Sequence, residues 1–252
     1  MTTLDRPIAL QVLQEAMDRV IATQLPAIGQ AARLCADALA ADGIIQVFGT
    51  GHSRAFAMEI AGRAGGLIPT NQLSVKDVVM YGGADPAEIL DPASERDPAL
   101  AHRVWALHDV RPDDVFLIAS NSGINGAVVE LAALARANGN PVIAVTSLAH
   151  SRSQPSRHPS GRRLLDVADV VIDNCGVPGD AAHQLQTGAM IVPTSTATGV
   201  LVAQLINVAV CTDLLDRGIE PPVYVSANVA GGDAHNERLG ARYGSRVRLS
   251  EP

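Results

Sequence analysis

Short apolar runs alternate along the chain with longer stretches whose apolar positions recur at helical spacing. Residues 8–41 have this helical spacing with an interruption at Pro26, which predicts two helices or one kinked helix. Further along, the pattern predicts strands at 44–48, 67–69, 115–119, 141–146 and 167–172, and helices at 53–64, 99–108, 124–138 and 193–215. Strands that are apolar throughout and separated by helices indicate parallel pairing between two helical layers. The sequence therefore predicts an α/β fold, a three-layer αβα sandwich with a mostly parallel sheet and an N-terminal helical extension.

A single domain accounts for the whole length. The chain has 252 residues, 47% of them hydrophobic, which is enough to bury one substantial core. We divide it into N-terminal helices (1–41), an α/β core (42–217) and a C-terminal segment (218–252). The polar, Gly-rich part of that segment, 226–236, is predicted either to lead into a last helix or to carry residues such as His235 to a neighbouring subunit's site.

The charge and composition of the chain limit the partners that it can bind and the compartment in which we expect it. The net charge of −7 argues against a nucleic-acid surface, because such a surface needs clustered excess cations. The three cysteines are odd in number and far apart, which predicts free thiols and a reducing compartment. The first residues lack a basic region followed by an apolar core, so no signal peptide is indicated. We expect a cytoplasmic protein.

The stretch 181–212 contains no Asp, Glu, Lys or Arg. Gly188, Pro193 and a Ser/Thr run interrupt it, so it does not predict a membrane span. A helix that is apolar nearly all round instead indicates a core or subunit-interface element. We therefore expect a homodimer or homotetramer.

Two predicted strands end in similar turns rich in Gly and Ser. The first turn is Gly49-Thr50-Gly51-His52-Ser53 and the second is Ser120-Asn121-Ser122-Gly123, each followed by a predicted helix. Free backbone N–H groups and the helix dipole favour an anion at such helix starts, and the hydroxyls add donors. Two such turns in one domain predict one phosphorylated ligand.

Familiar cofactor motifs are missing from the sequence. The third glycine of a dinucleotide fingerprint would fall at Arg54, and no Gly-Lys-Ser/Thr step of an ATP-type phosphate loop occurs. The sequence contains no CxxC or HExxH pair, so these motifs indicate no metal site. Lys76, the only lysine, lies in a polar stretch beside Asp77, which disfavours a Schiff base. We expect no cofactor and no metal.

The paired turns resemble the phosphate motifs of the sugar isomerase (SIS) domain, over roughly residues 35–215. Ser120, Ser122 and Gly123 stand where the family places two serines and a glycine, and Asn125 replaces its usual last threonine. An amide can still donate to a phosphate. The resemblance implies a sugar-phosphate ligand held by residues of both motifs, namely Gly51, His52, Ser53, Ser120, Asn121, Ser122 and Asn125.

Within that superfamily the sequence departs from two well-known types. Glucosamine-phosphate synthases carry Glu-Leu-Lys-His-Gly where this chain has 184–188, Gln-Leu-Gln-Thr-Gly, and phosphoheptose isomerases carry a glutamate where an overlay places Arg63. The long uncharged helix after Thr194 is more similar to that of N-acetylmuramic acid 6-phosphate etherases. The whole chain resembles actinobacterial SIS proteins that include an N-acetylglucosamine-6-phosphate dehydratase.

The resemblance implies a carbon–oxygen lyase that removes water from N-acetylglucosamine 6-phosphate, by loss of the C2 proton and then of the C3 substituent. An aldose/ketose isomerase and a phosphosugar-sensing module without turnover are the alternatives. Both enzymatic routes pass through an enolate and need a base, an acid and donors for the enolate oxygen.

Two side chains are candidates for the acid and base. Glu59 lies nearly two turns along the first predicted helix among apolar neighbours, an environment that disfavours its ionised form. An ion pair with Arg63 is the alternative role for Glu59. His183 is the only side chain of 181–212 that ionises near neutral pH, and it is predicted to be the acid or second base, or else a buried structural histidine.

Two long segments complete the predicted site. Residues 71–98 contain Gly82-Gly83 and three prolines, which is typical of an excursion that covers a binding site. Residues 151–163 form a basic Ser/Pro-rich insert, predicted to be a solvated loop, a substrate lid or a partner contact.

Overall fold

A five-stranded parallel sheet runs through the centre of the protein in the computed structural model, which describes residues 8–248. Its strands are β1 (Ile45–Gly49), β2 (Thr70–Leu73), β3 (Val115–Ala119), β4 (Val142–Thr146) and β5 (Val170–Asp173). They lie in the order β2-β1-β3-β4-β5, and every neighbouring pair is parallel. A separate antiparallel hairpin consists of β6 (Ala181–Gln184) and β7 (Met190–Pro193).

Helices cover both faces of the sheet. They are α1 (Ile8–Ala40), α2 (Arg54–Ile60), α3 (Asp77–Met80), α4 (Ala87–Leu90), α5 (Ala99–Trp105), α6 (Gly126–Ala137), α7 (Leu148–Ser153), α8 (Leu164–Val167), α9 (Ser195–Asp216) and α10 (Gly232–Gly240). Side chains of β3 alternate between the faces: Leu117 packs with α1, α2 and α9, whereas Phe116 and Ile118 pack with α5, α6 and α8. The predicted three-layer αβα sandwich is therefore confirmed.

The N-terminal helix packs against the core of the protein. The predicted N-terminal helices are one helix of 33 residues that contains Pro26, and residues 1–7 lie outside the described part. Val20, Ile28 and Cys35 of α1 are buried in the same cluster as the sheet and α9. The predicted N-terminal helical extension is therefore confirmed, and its apolar face covers the sheet.

Helix α9 lies between α1 and α2 on this face of the sheet. In the described chain it is the one helix with the length and apolarity of a membrane span. Val202, Ile206, Val210 and Leu214 are buried against the core. The helix is thus a core element, which is one of the two roles that its composition predicted.

The second strand of the chain lies three residues beyond its predicted position. Residues 67–69 were expected to be a strand, but Leu67 forms an isolated antiparallel bridge with Val223, and β2 begins at Thr70. The strand was missed because three of its four buried side chains are polar. Their hydrogen-bonding groups are satisfied inside the protein: Thr70 donates to the Leu67 carbonyl, and Asn71 donates to Gln46.

The helix after the first turn is shorter than predicted. It was expected over 53–64, but a 3₁₀ turn at Gly51–Ser53 precedes α2, and Ala61 adopts an extended conformation that ends it. Other predicted helices and strands lie within a few residues of their expected bounds.

The C-terminal segment folds back onto its own chain. Its polar part leads into α10, as one of the two alternatives expected. Tyr224 exchanges backbone hydrogen bonds with Gly65 and Gly66, and Tyr243 packs on Ile44 and Ile68, which precede β1 and β2. The ring of His235 contacts the Val223 carbonyl at 3.1 Å. The segment therefore covers the edge of the sheet where the strands begin.

A buried ion pair anchors the end of this segment. Asp114, which is 0% exposed, accepts from Arg246 at 2.6 Å. The same carboxylate accepts from the Gln46 side chain and from the backbone N–H groups of Ile44 and Arg111. These donors satisfy a charge that would be costly to bury alone.

We expect Arg246→Ala to lower the free energy of unfolding by about 3 kcal/mol, because it leaves the Asp114 carboxylate buried without its cation. Arg242→Ala is the matched control, since its partner Asp42 is exposed and the loss should stay below about 1 kcal/mol. Urea denaturation followed by circular dichroism measures both. Equal losses in the two variants would show that burial of Asp114 does not depend on Arg246.

Candidate functional site

The strand order reverses between β1 and β3. From β1 the chain crosses to β2 on one side, and from β3 it continues to β4 and β5 on the other. Ligands of open α/β sheets bind at such a point, beyond the carboxyl ends of the strands. Gly49 pairs with Ala119, so the turns that follow the two strands start side by side.

A small cavity with both polar and apolar lining lies between these turns. Its volume is about 10 Å³, and its lining consists of His52, Ser53, Phe56, Ala119, Asn121, Val145, Asn174, Ser195, Thr196 and Gly199. The two predicted turns therefore contribute to one site, and the start of α9 joins them. The cavity holds about one water molecule, so a larger group enters only if side chains at its mouth move.

The first turn is tight, and its glycines make it so. A Cβ on Gly49 would lie 2.5 Å from the Ser53 carbonyl oxygen, and Gly51 has a positive φ of 54°. The exposed His52 and the half-buried Ser53 both reach the cavity. Ser53 makes no capping hydrogen bond at the start of α2, which leaves its hydroxyl free to donate to a ligand.

One polar side chain of the second turn stabilises the turn itself, and another lines the cavity. The Ser120 hydroxyl accepts from the Gly123 N–H at 3.1 Å and so holds the turn. Asn121 lines the cavity, whereas Ser122 is half-buried and is not part of the lining. Of these predicted phosphate-binding side chains, the structure brings only Asn121 to the cavity.

Asn125 is engaged elsewhere. Its amide nitrogen donates to Glu95 at 2.6 Å, and its amide oxygen accepts from Arg157 at 2.9 Å. The neighbouring Gly126 lies so close to the Arg96 carbonyl that a Cβ would be 2.1 Å from that oxygen. The predicted excursion over 71–98 thus covers the start of α6.

The basic insert is fastened beside the second turn. The Arg157 N–H donates to the Ile124 carbonyl, and His158 pairs with Glu130 at 2.6 Å. Burial raises the pKa of Glu130, but hydrogen bonds from His158 and His102 outweigh it and leave the pKa below its usual value. These contacts make 151–163 an anchored loop and not a wholly solvated one.

Glu59 forms the ion pair that was its alternative role. Its carboxylate pairs with Arg63, which lies just beyond the end of α2, and also accepts from Gln204 of α9. Phe56 and Gly199, which line the cavity, lie on the same two helices. Glu59 is therefore about one helical turn from the cavity lining, on the α2–α9 interface.

His183 lies on a different element. It is half-buried on β6, and the β6–β7 hairpin packs against α1. Within residues 8–248 no hydrogen bond or ion pair joins it to Glu59. Asp180, just before the hairpin, accepts from the backbone N–H groups of Thr194 and Ser195 and so fixes the start of α9. The structure thus does not bring the predicted catalytic pair into contact.

The cysteines contribute no reactive thiolate to this site. Cys35, Cys175 and Cys211 are free, and burial raises the pKa of each thiol. None of them lines the cavity.

Sequence analysis missed two parts of the cavity wall. Ser195 and Thr196 follow Pro193 at the start of an apolar helix, which is a helix-start signal that the sequence did contain. Asn174 carries no local signal, because only the pairing of β4 with β5 brings it beside Asn121.

Comparison with known proteins agrees with this architecture. The SIS domain profile matches residues 10–147. A UPF0309 protein of Geobacillus thermodenitrificans is 38% identical over 239 residues, which are 94% of each chain.

Two solved structures share the fold. A phosphoheptose isomerase from Francisella tularensis superposes with a TM-score of 0.55 at 19% identity, over 83% of this chain and 98% of that one. The Vibrio vulnificus NanR protein, complexed with ManNAc-6P, superposes with a TM-score of 0.51 at 12% identity, over 86% of this chain and 66% of that one. With the profile match and the 38% identical relative, the assignment follows: the chain belongs to the SIS-domain family.

Proposed function

We propose that the cavity between the two turns binds the phosphate group of a sugar phosphate. The observation that carries this proposal is the convergence of three segments on one spot, the turns after β1 and β3 and the start of α9. The Ser53 hydroxyl, the Asn121 amide and backbone N–H groups supply donors there. Such local donors suit an anion in a protein whose net charge is −7.

The sugar extends from this cavity along the α2–α9 interface toward Glu59. Ser53 and Glu59 are six residues apart on this helical segment, a rise of about 9 Å. That distance suits an open-chain hexose held by its 6-phosphate, whose C2 then lies near the carboxylate. The fixed phosphate converts binding energy into orientation of the reacting carbons.

The reaction we propose is removal of the C2 proton by Glu59, followed by isomerisation between aldose and ketose. One carboxylate can carry the carbon-bound proton, because it returns to C1 the proton that it took from C2, while the proton of the C2 hydroxyl passes to the oxygen on C1. The sugar then needs a hydroxyl at C2, since a ketose forms only when that oxygen becomes a carbonyl. The phosphoheptose isomerase and the ManNAc-6P complex among the fold neighbours agree with a sugar-phosphate ligand.

Elimination is the second candidate. An acetamido group at C2, as in N-acetylglucosamine 6-phosphate, prevents ketose formation and leaves loss of the C3 oxygen as the productive route. Arg63 supports this candidate, because it occupies the place of the phosphoheptose isomerase glutamate and pairs with Glu59. Elimination also needs an acid at the C3 oxygen, for which His183 would have to approach the site.

The binding proposal predicts that glucose 6-phosphate and N-acetylglucosamine 6-phosphate bind and that the unphosphorylated sugars do not. Ser53→Ala should weaken binding roughly 10- to 100-fold, because it removes a donor to a charged group. Ser245→Ala, an exposed serine at the opposite edge of the sheet, is the control and should bind as the parent does. Isothermal titration calorimetry measures all three proteins. Equal affinity for sugars with and without phosphate would contradict the proposal.

The catalytic proposal predicts that Glu59→Gln lowers turnover by about 10² to 10⁴, because the amide cannot accept the C2 proton. Glu237→Gln on the exposed face of α10 is the control. NMR in deuterated water distinguishes the products: isomerisation of glucose 6-phosphate gives a ketose with deuterium at C1, and elimination from N-acetylglucosamine 6-phosphate gives an unsaturated aldehyde that absorbs in the ultraviolet. Tight binding with neither product would identify a sensing module.

We further propose that the chain assembles as a homodimer or homotetramer through α1 and α9. Both helices expose large apolar side chains, among them Leu10 and Leu25 on α1 and Val208 and Leu215 on α9. Exposed apolar side chains on two helices that pack against each other are typical of an interface.

Val208→Glu should shift the protein to a smaller species, because it places a charge in the proposed interface. Leu90→Glu on α4 alters an equally exposed apolar residue away from these helices and should leave the assembly unchanged. Size-exclusion chromatography with light scattering gives the masses. A parent protein of about 26 kDa would refute the assembly.

A further inference from the structure

Asn174 and Asn121 form a short chain of hydrogen bonds at the cavity wall. The Gly176 N–H donates to Asn174 Oδ1 at 2.9 Å, and Asn174 Nδ2 donates to Asn121 Oδ1 at 3.0 Å. Asn174 is only 3% exposed, so water does not readily replace these bonds. A Cβ on Gly176 would lie 2.9 Å from the Asn174 oxygen and 3.1 Å from the Asn121 oxygen. The close approach of this backbone therefore depends on glycine.

The direction of this chain follows from its first donor. A backbone N–H can only donate, so the Asn174 atom that it meets must be the amide oxygen. The Asn174 nitrogen then faces Asn121, and because an amide NH₂ does not accept, Asn121 must present its oxygen. The Asn121 NH₂ is thereby turned away from Asn174, and within residues 8–248 it has no protein partner. Asn121 lines the cavity.

We propose that Asn174 is a positioning residue that turns the Asn121 NH₂ toward the ligand's phosphate and keeps its amide oxygen away from that anion. The inference rests on the proposed binding of a sugar phosphate at this cavity. With Asn121 in the opposite orientation, an acceptor would face the phosphate and repel it. Asn174 acts only through Asn121 and is not itself the donor to the ligand.

Asn174→Asp tests the orientation. The introduced carboxylate still accepts from the Gly176 N–H, but it cannot donate to Asn121, which must then rotate to offer its NH₂ to the carboxylate. We expect binding of N-acetylglucosamine 6-phosphate and of glucose 6-phosphate to weaken at least about 10-fold, because one donor to a charged group becomes an acceptor. Asn174→Ala adds no charge and lets Asn121 adopt both orientations, so it should weaken binding only about 2-fold.

A double-mutant cycle with Asn121→Ala separates orientation from simple charge repulsion. If Asn174 acts through Asn121, Asn174→Asp should change affinity less than about 2-fold in the Asn121→Ala background. Repulsion by the new carboxylate, or general distortion of the site, would lower the affinity by the same factor in both backgrounds. Isothermal titration calorimetry provides the four affinities, and thermal denaturation shows that each variant is folded. If Asn174→Asp does not fold, the same cycle with Asn174→Ala replaces it, and the loss of about 2-fold in the parent background should then be absent in the Asn121→Ala background.

The outcomes are distinct. Parent-like binding by Asn174→Asp, or an equal loss in both backgrounds, would overturn the role of Asn174 while sugar-phosphate binding by the parent stands. In the substitute cycle, parent-like binding by Asn174→Ala, or an equal loss in both backgrounds, would do the same. A parent protein that binds neither sugar phosphate would overturn the proposed function and, with it, this inference.

Discussion

The pairing of β1 with β3 is the constraint on which the rest of the structure depends. These two strands are neighbours in the sheet, but the chain continues from β1 to β2 on one side and from β3 to β4 and β5 on the other. Their register sets Gly49 opposite Ala119 and starts both turns at the same level. Because parallel strands end at one edge, the helix starts and their unpaired N–H groups meet there. The candidate site follows from this geometry and needs no excess of positive charge.

The residues at the two ends of β3 contribute to different parts of the structure. At its start, Asp114 joins β1, the loop before β3 and the C-terminal segment through one buried carboxylate. At its end, the second turn faces the cavity. The polar network that holds the C-terminal segment therefore lies at the edge of the sheet opposite the site. Side chains at the cavity can remain partly unpaired because this network and the two apolar layers on the sheet stabilise the fold.

The site combines donors that come from loops with a carboxylate that comes from packed helices. Ser53 and Asn121 lie in turns whose backbone is held by glycines, whereas Glu59 lies on α2 against Gln204 of α9. The second motif serves structure as much as binding, since Ser120 closes its own turn and Asn125 joins Glu95 to Arg157. The orientation of Asn121 depends on Asn174, a residue of another strand end. Asn121 is thus positioned by a contact outside its own motif.

The sequence by itself determined what local pattern specifies. Apolar runs such as Val115–Ala119 marked buried strands, and the two Gly/Ser turns marked helix starts able to hold an anion. Only the tertiary structure decided what depends on distant partners. The polar strand β2 is buried beside β1, where the side chains of Asn71 and Gln46 form a hydrogen bond. Asn174 and Ser195 line the cavity, whereas Asn125, Glu59 and His183 lie apart from it or are already paired. A hydrogen bond or ion pair between residues far apart in the sequence leaves no periodic signal, because its strength depends on geometry that exists only after folding.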